Sequence, residues 1–178
     1  RKEIYPRLKY HFQFANEFSL FAEVHHNTIF GIQVYSGERS SVNFSSISNL
    51  FHPSTIDPSF IHGYTGVAGG IKTKDEVTGK YDWNIKPHSD RVVFITEREL
   101  RIIAKAFENS NEWQTTKLVS IHTSSIVNVL DKLSSFSSSV NSYENKITVC
   151  WDETNDVNNG TIQRKTVSPD LINFQMIY

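Results

Sequence analysis

The residues best suited to chemistry in this sequence are His122 and the hydroxyl side chains that follow it. Histidine acts as a general acid or base because its ordinary pKa lies near neutrality. The apolar run 118–121 predicts a strand, and the periodicity of 125–136 predicts a helix, so His122 would lie at a strand-to-helix turn. A helix start binds anions through its free N–H groups and partial positive charge. Thr123 and Ser124 would then position a phosphate, or alternatively would only cap the helix.

A second candidate is the glycine-rich run from His62 to Gly70, which is followed by Lys72 and Lys74. Glycine-rich loops bring backbone N–H groups close to phosphate, and lysines neutralise its charge. Trp83, in the returning strand of a predicted hairpin, would stack on a base. The spacing of nucleotide-binding loops is missing, so a flexible connection to the hairpin is the alternative interpretation.

The sequence therefore favours a small metal-independent enzyme that handles phosphodiesters, of the toxin or effector ribonuclease type. His122 would work as acid or base opposite His62 or His88, and Lys72 would stabilise negative charge. The predicted catalytic residues are His122, His62, His88 and Lys72, and the predicted substrate-binding residues are Thr123, Ser124, Lys74 and Trp83.

The alternative is a non-catalytic binding or assembly module, such as a viral or bacterial accessory domain that recognises a protein partner. Aromatic strands and Ser/Asn-rich loops would then form its interface. The two hypotheses differ in whether the candidate catalytic side chains must lie together in space. Catalysis requires at least two of His62, His88 and His122 in one cleft with Lys72.

Composition narrows the function classes. The 178 residues are 38% hydrophobic and 21% charged, as in folded soluble domains. With 18 basic and 19 acidic side chains, the net charge of −1 gives no overall attraction to nucleic acid or anionic lipid. A local basic groove along Arg98, Arg101 and Lys105 is still compatible with this composition. One cysteine excludes a disulfide framework. The sequence predicts no metal, no cofactor and no membrane association; RNA, another phosphate-containing ligand or a protein are the candidate partners.

The pattern predicts one α+β domain over 1–178, and the start at Arg1 without a methionine favours a chain trimmed from a longer one. Its sheet would be largely antiparallel, with two amphipathic helices at about 96–108 and 125–136. Thr96 and Glu99 form a capping box at the first helix start. The second helix would bury Ile126, Val129, Leu130 and Leu133.

Strands and loops are assigned from alternation and breaker residues. A strand is predicted at 10–14, a hairpin from 18–25 and 28–35, a second hairpin from 71–74 and 80–85, and single strands at 91–95, 118–121, 147–151, 161–167 and 171–178. The polar, Ser-rich run 38–59 is predicted to be a loop.

Overall fold

A computed structural model gives the structure of the chain and describes residues 1–61, 64–136 and 152–162. The chain divides into two compact units, residues 1–137 and residues 138–178. The first unit contains a mixed four-stranded sheet, a two-stranded sheet and three helices, which confirms the predicted α+β class. The single domain over 1–178 stays a prediction.

The elements of the first unit follow one another in this order: β1 (Leu8–Ala15), β2 (Ile29–Tyr35), β3 (Asn43–Leu50), α1 (Ile56–Ser59), β4 (Lys72–Lys74), β5 (Tyr81–Trp83), β6 (Val93–Thr96), α2 (Glu97–Glu108) and α3 (Ser124–Ser134). In the second unit, α4 (Glu153–Asn158) is capped by Asp152, whose carboxylate accepts a hydrogen bond from the N–H of Asn155.

The main sheet has the strand order β2-β1-β3-β6. β1 pairs with β2 and β3 pairs with β6 in antiparallel fashion, whereas β1 and β3 are parallel. The sheet is therefore largely antiparallel, as predicted, with one parallel pair at its centre. The second predicted hairpin is confirmed as the two-stranded sheet of β4 and β5.

Apolar side chains cover both faces of the sheet. Phe44 of β3 and Ile95 of β6 pack with Leu100 and Ile103 of α2 and with Ile121 on one face. On the other face Phe14, Ile47, Leu50 and Val92 form a second buried cluster, against which Phe30 and Ile56 pack. A sheet covered twice fixes the register of its central strands, because a one-residue slip would move apolar side chains out of both clusters.

The first predicted helix is confirmed and begins as the capping box requires. The Thr96 hydroxyl accepts a hydrogen bond from the N–H of Arg98, and the Glu99 carboxylate accepts one from the N–H of Thr96 at 2.9 Å. Leu100, Ile103 and Ala104 are buried one turn later. The cap fixes where β6 ends and α2 begins, so the helix covers the sheet directly after its last strand.

The second predicted helix is also present as α3, but its predicted buried face is wrong. Val127 is the buried residue, Leu130 is partly buried, and Ile126, Val129 and Leu133 are exposed. α3 packs against α2, and Asp131 of α3 pairs with Arg98 of α2 at 2.8 Å. This contact turns the Val127 side of the helix inward, a rotation that periodicity alone does not determine.

The predicted first hairpin is wrong in its opening strand. Residues 18–25 form turns, and β2 pairs with β1 instead. Buried Asn16 organises these turns, since its side-chain amide donates to the carbonyls of Phe21 and Val24 and accepts from the N–H of Phe21. One satisfied buried amide therefore outweighs the strand propensity of the aromatic residues around it.

The predicted loop at 38–59 is likewise wrong, because it contains β3, a central strand. Phe44 to Ser48 are buried at every position. A strand covered on both faces does not need to alternate in polarity. Serines fit such a strand where space is limited and partners are near, as when Ser46 lies 3.0 Å from His11 Nδ1.

The predicted strand at 118–121 is absent, since these residues join no ladder with any strand that the structure describes. The segment crosses one face of the sheet, where Ile121 is buried and Ser120 donates a hydrogen bond to Gln13. The predicted strands at 147–151, 161–167 and 171–178 lie wholly or almost wholly outside the described residues.

Candidate functional site

His122 lies directly before α3 and is only 5% exposed. Its Nε2 is 3.0 Å from the carbonyl oxygen of Gly69. A carbonyl only accepts, so Nε2 carries the proton and Nδ1 is left as a bare acceptor. Nδ1 is buried and has no hydrogen-bond partner within the described residues.

The ring of His122 is held in its neutral form. Burial lowers the pKa of His122 below its ordinary value, and the charge of Arg91 acts in the same direction. The hydrogen bond to Gly69 opposes this effect. A neutral, buried imidazole that already donates to the backbone is suited to joining two segments, and substrate would reach neither nitrogen without local opening.

The two hydroxyls after His122 differ in exposure. Thr123 is buried and occupies the N-cap of α3, but its side chain makes no capping hydrogen bond. Its Oγ1 lies 2.9 Å from Oγ of Ser125 instead. Ser124 is exposed. The start of α3 thus lacks the side-chain cap that the sequence allows, and of the two predicted phosphate-binding residues only Ser124 is exposed.

His88 has a local structural role. Its Nδ1 accepts a hydrogen bond from the N–H of Asp90, and its backbone N–H donates to Ser59 Oγ. The ring lies against Tyr64 with 5.3 Å between centroids. Since Nδ1 accepts from the backbone, Nε2 carries the proton, and this atom is buried without a partner in the described chain.

Lys72 and Trp83 form a cross-strand pair in the β4–β5 hairpin. The Lys72 ammonium lies 4.0 Å from the centre of the Trp83 ring, which is cation–π distance, and the same ring packs against Phe51. Lys74 is exposed on the same strand and pairs with Tyr81. The tryptophan is therefore engaged in the fold of the hairpin and does not present a free ring for stacking.

Arg91 is a central polar residue that the sequence analysis missed. Its side chain is fully buried, and its guanidinium donates to the carbonyls of Asn84, Lys86, Ser48 and Asn49 at 2.9–3.5 Å. Burial lowers the pKa of Arg91 to about 10, so the group stays charged at neutral pH. No carboxylate pairs with it in the described chain. Five donors in a planar fork let Arg tie several carbonyls together.

Backbone and side-chain contacts link part of the predicted site. Gly69 binds His122, and the neighbouring Gly70 carbonyl accepts from Asn84 Nδ2 at 2.8 Å. Asn84 in turn gives its carbonyl to Arg91. These hydrogen bonds join the glycine-rich loop, the β5 end and the start of α3. His62 lies outside the described residues.

The predicted basic groove on α2 is largely neutralised. Arg98 pairs with Glu99 and with Asp131, and Arg101 pairs with Glu97 one turn earlier. Exposed ion pairs of this kind add little stability, but they remove the local positive charge that nucleic acid would need. Only Lys105 of the three basic residues named in this groove is without an ion pair in the described structure.

Neither a metal site nor a membrane span is found in the part of the chain that the structure describes. No group of three or more His, Cys, Asp or Glu side chains there is placed to hold a metal ion. Among the same residues, no helix combines the length and apolar character that crossing a bilayer demands.

The most exposed apolar element of the sheet is β2. Ile29 is 63% exposed, Ile32 49%, Val34 40% and Tyr35 52%. β2 is the last strand on its side, and its outer edge pairs with no strand in residues 1–61, 64–136 or 152–162. Its seven residues, IFGIQVY, include no charge and no proline. Such an edge is a template for pairing with another chain.

The register on β1 shows which backbone groups of β2 point outward. Asn16 donates to the Thr28 carbonyl at 3.0 Å, which makes this antiparallel pair a hydrogen-bonded one. Bonded and non-bonded pairs alternate, so Phe30, Ile32 and Val34 bond to β1. The N–H and C=O groups of Ile29, Gly31, Gln33 and Tyr35 therefore point to the outer edge.

A signal for this edge exists in the sequence. The run 29–35 is apolar and β-branched, yet charges and prolines, which commonly guard an edge, are missing. Read alone, the run also fits a buried strand.

Comparison of the chain with protein-family models, with curated proteins and with solved structures finds no match.

Proposed function

We propose that this chain is a non-catalytic binding or assembly module, which takes a protein partner by adding an extended segment to the outer edge of β2. The observation that supports the proposal is the combination of length, exposure and lack of charge in this strand. Strand addition supplies main-chain hydrogen bonds for affinity and side-chain positions on alternate faces for selectivity.

An edge strand without protecting features is unfavourable in a monomeric protein, because it promotes aggregation. Proteins usually shorten such strands or place lysine, proline or a bulge in them. β2 carries none of these along Ile29–Tyr35, and the one bulge in its ladder lies on β1 between Leu8 and Tyr10. An edge kept open at this length is the expected feature of a strand whose second neighbour comes from another molecule.

The ribonuclease hypothesis stays a prediction. Its central residue, His122, donates to Gly69 from a buried position, and the rings of His88 and Trp83 are in structural contacts. The direct test is to incubate the purified chain with total RNA, with and without EDTA, beside His122→Ala. EDTA-resistant cleavage that the variant loses would support the ribonuclease hypothesis and would contradict a non-catalytic module.

The binding proposal is tested with a displayed library of extended peptides, selected on the wild-type chain at low protein concentration. Gln33→Pro removes one outward N–H without touching a hydrogen bond to β1, and proline is tolerated on strand edges in this orientation. Gln33→Ala is the matched control, because it shortens the side chain but keeps the N–H.

Peptides with alternating apolar residues should bind the wild type and Gln33→Ala equally and bind Gln33→Pro at least tenfold more weakly. Hydrogen exchange should show new protection at Gly31 and Gln33 in the complex. Selected peptides that bind all three proteins alike, or none that bind, would contradict strand addition at β2.

A further inference from the structure

We propose that the partner at β2 is a second copy of this chain, paired antiparallel about a two-fold axis at Ile32. This inference rests on the proposed function, since it takes the outer edge of β2 as the binding surface. The result would be one continuous sheet of eight strands across the two copies. Three properties of the described residues support a second copy over an unrelated strand.

The first property is the backbone pattern. In an antiparallel pair centred on Ile32, Ile29 lies opposite Tyr35 of the other copy and Gly31 lies opposite Gln33. All four residues have outward-pointing N–H and C=O groups, so every hydrogen-bonding position meets a hydrogen-bonding position. This register uses the whole of β2. Shifting it by one residue in either copy would set outward groups opposite inward ones.

The second property is side-chain pairing across the axis. Phe30 lies opposite Val34, Ile29 lies opposite Tyr35, and Ile32 lies opposite itself. Aromatic residues paired with β-branched ones are favourable cross-strand neighbours. Gly31 opposite Gln33 gives the longer side chain room. Since β2 has no charged side chain, no like charges oppose each other within the strand.

The third property is the charge at the two ends of the strand. Glu17 and Glu23 lie in the turns before β2, and Glu17 contacts His26 at 3.1 Å. At the other end Arg7 pairs with Glu38, and Arg39 donates to the carbonyls of Pro6 and Leu8. One end therefore has an excess of acid and the other an excess of base.

Antiparallel pairing places the acidic end of each copy beside the basic end of the other. Parallel pairing would set like ends together and would raise the electrostatic energy. Charge complementarity therefore favours an antiparallel second copy.

A cysteine at the axis tests this register. Residues that face each other in a non-hydrogen-bonded antiparallel pair have Cβ atoms about 4.5 Å apart, within the range that a disulfide spans. Ile32→Cys is made in a Cys150→Ser background, which removes the only native cysteine. Val34→Cys is the matched control, because two residues from the axis its partner position is four residues away, roughly 13 Å along the strand.

Mild oxidation should convert most Ile32→Cys to a covalent dimer and leave at least tenfold less dimer for Val34→Cys. Sedimentation velocity of the cysteine-free chain should show a concentration-dependent doubling of mass, which Gln33→Pro abolishes and Gln33→Ala preserves. Circular dichroism on each variant confirms that it is folded.

Three results would overturn the second copy. One is a wild type that stays monomeric at the highest soluble concentration, another is a dimer that persists in Gln33→Pro, and the last is equal cross-linking of the two cysteine variants. The peptide selection separates this failure from failure of the proposed function. Peptides that still require the Gln33 N–H would leave strand addition standing with a different partner.

Discussion

The two edges of the four-stranded sheet are built in opposite ways. β6 is four residues long, buries Val93 and Ile95, and ends at Thr96, which caps α2. β2 is seven residues long, exposed except at half-buried Phe30, and followed by an irregular segment. Both are terminal strands of the described sheet, but β6 is short and leads directly into a helix, whereas β2 is long and exposed.

The two edge strands differ in whether their apolar side chains are covered. At β6 the apolar side chains that point toward α2 contribute to stability, because the helix that follows covers them. At β2 similar side chains remain in contact with water, and under the proposed strand addition they would contribute to association instead. Substitutions at the β6 edge should therefore alter unfolding, and those at the β2 edge should alter self-association or partner binding.

The largest expected effect comes from truncating an isoleucine at each edge. Ile95→Ala removes a side chain that is 2% exposed, and we expect it to lower the free energy of unfolding by about 2–5 kcal/mol. Ile32→Ala should cost less than about 1 kcal/mol, since that side chain is half in water. Urea unfolding at low protein concentration measures both, and equal losses would contradict the assignment of the two edges.

A loss of comparable size is expected at Arg91, which attaches the chain before β6 to the end of β3. Arg91→Met leaves carbonyls of Ser48 and Asn49 buried without their donor, and unmade buried hydrogen bonds cost about 1–3 kcal/mol each. Arg91→Lys keeps the charge but lacks the planar fork, so it should also destabilise. A fully stable lysine variant in thermal unfolding would show that charge alone matters here.

The helix cap at the β6 edge has a smaller effect. Thr96→Ala removes the hydroxyl of a capping box and should cost about 1 kcal/mol. Thr123→Ala at α3 is the comparison, because that side chain makes no capping hydrogen bond. Its loss should be smaller, and chemical denaturation compares the two. A larger loss at Thr123 would show that the α3 start depends on contacts other than the cap.

Local signals in the sequence were enough for part of this fold. The capping box of Thr96 and Glu99 located α2, and apolar periodicity located α3, because both signals depend on neighbours within one turn. β3 was missed because burial on both faces removes alternation and lets serines occupy the centre of a sheet. The turns after Asn16 were missed because a single buried amide holds them, and composition does not show which polar residue is buried.

The candidate site was even less accessible to sequence reasoning. The residue types at His122 and His88 were compatible with catalysis, but exposure and tautomer decide their use, and both depend on contacts with Gly69 and Asp90. Arg91 was unremarkable in sequence because nothing local indicates that a cation will be surrounded by carbonyls. The uncharged, apolar run 29–35 was visible in the sequence, but its place at the edge was not, because strand order is a property of the whole sheet.

The smallest expected effect is the pH dependence of folding stability that comes from the two buried histidines. Burial lowers the pKa values of His122 and His11 in the folded state, so the unfolded chain binds more protons between the folded pKa and about 6.5. Stability contributed by the neutral rings is fully present above that range. It is lost as pH falls through the unfolded pKa toward the folded one.

Urea midpoints measured from pH 7.5 to 5 should therefore decrease as the solution is acidified. His122→Gln keeps an amide donor for the Gly69 carbonyl but does not titrate, so its midpoint should depend less on pH than that of the wild type. His11→Gln should remove a further part of the slope, and the double variant should be the flattest. If His122→Gln keeps the full slope, then His122 does not titrate with a lowered pKa in the folded chain, which would favour its predicted acid–base role.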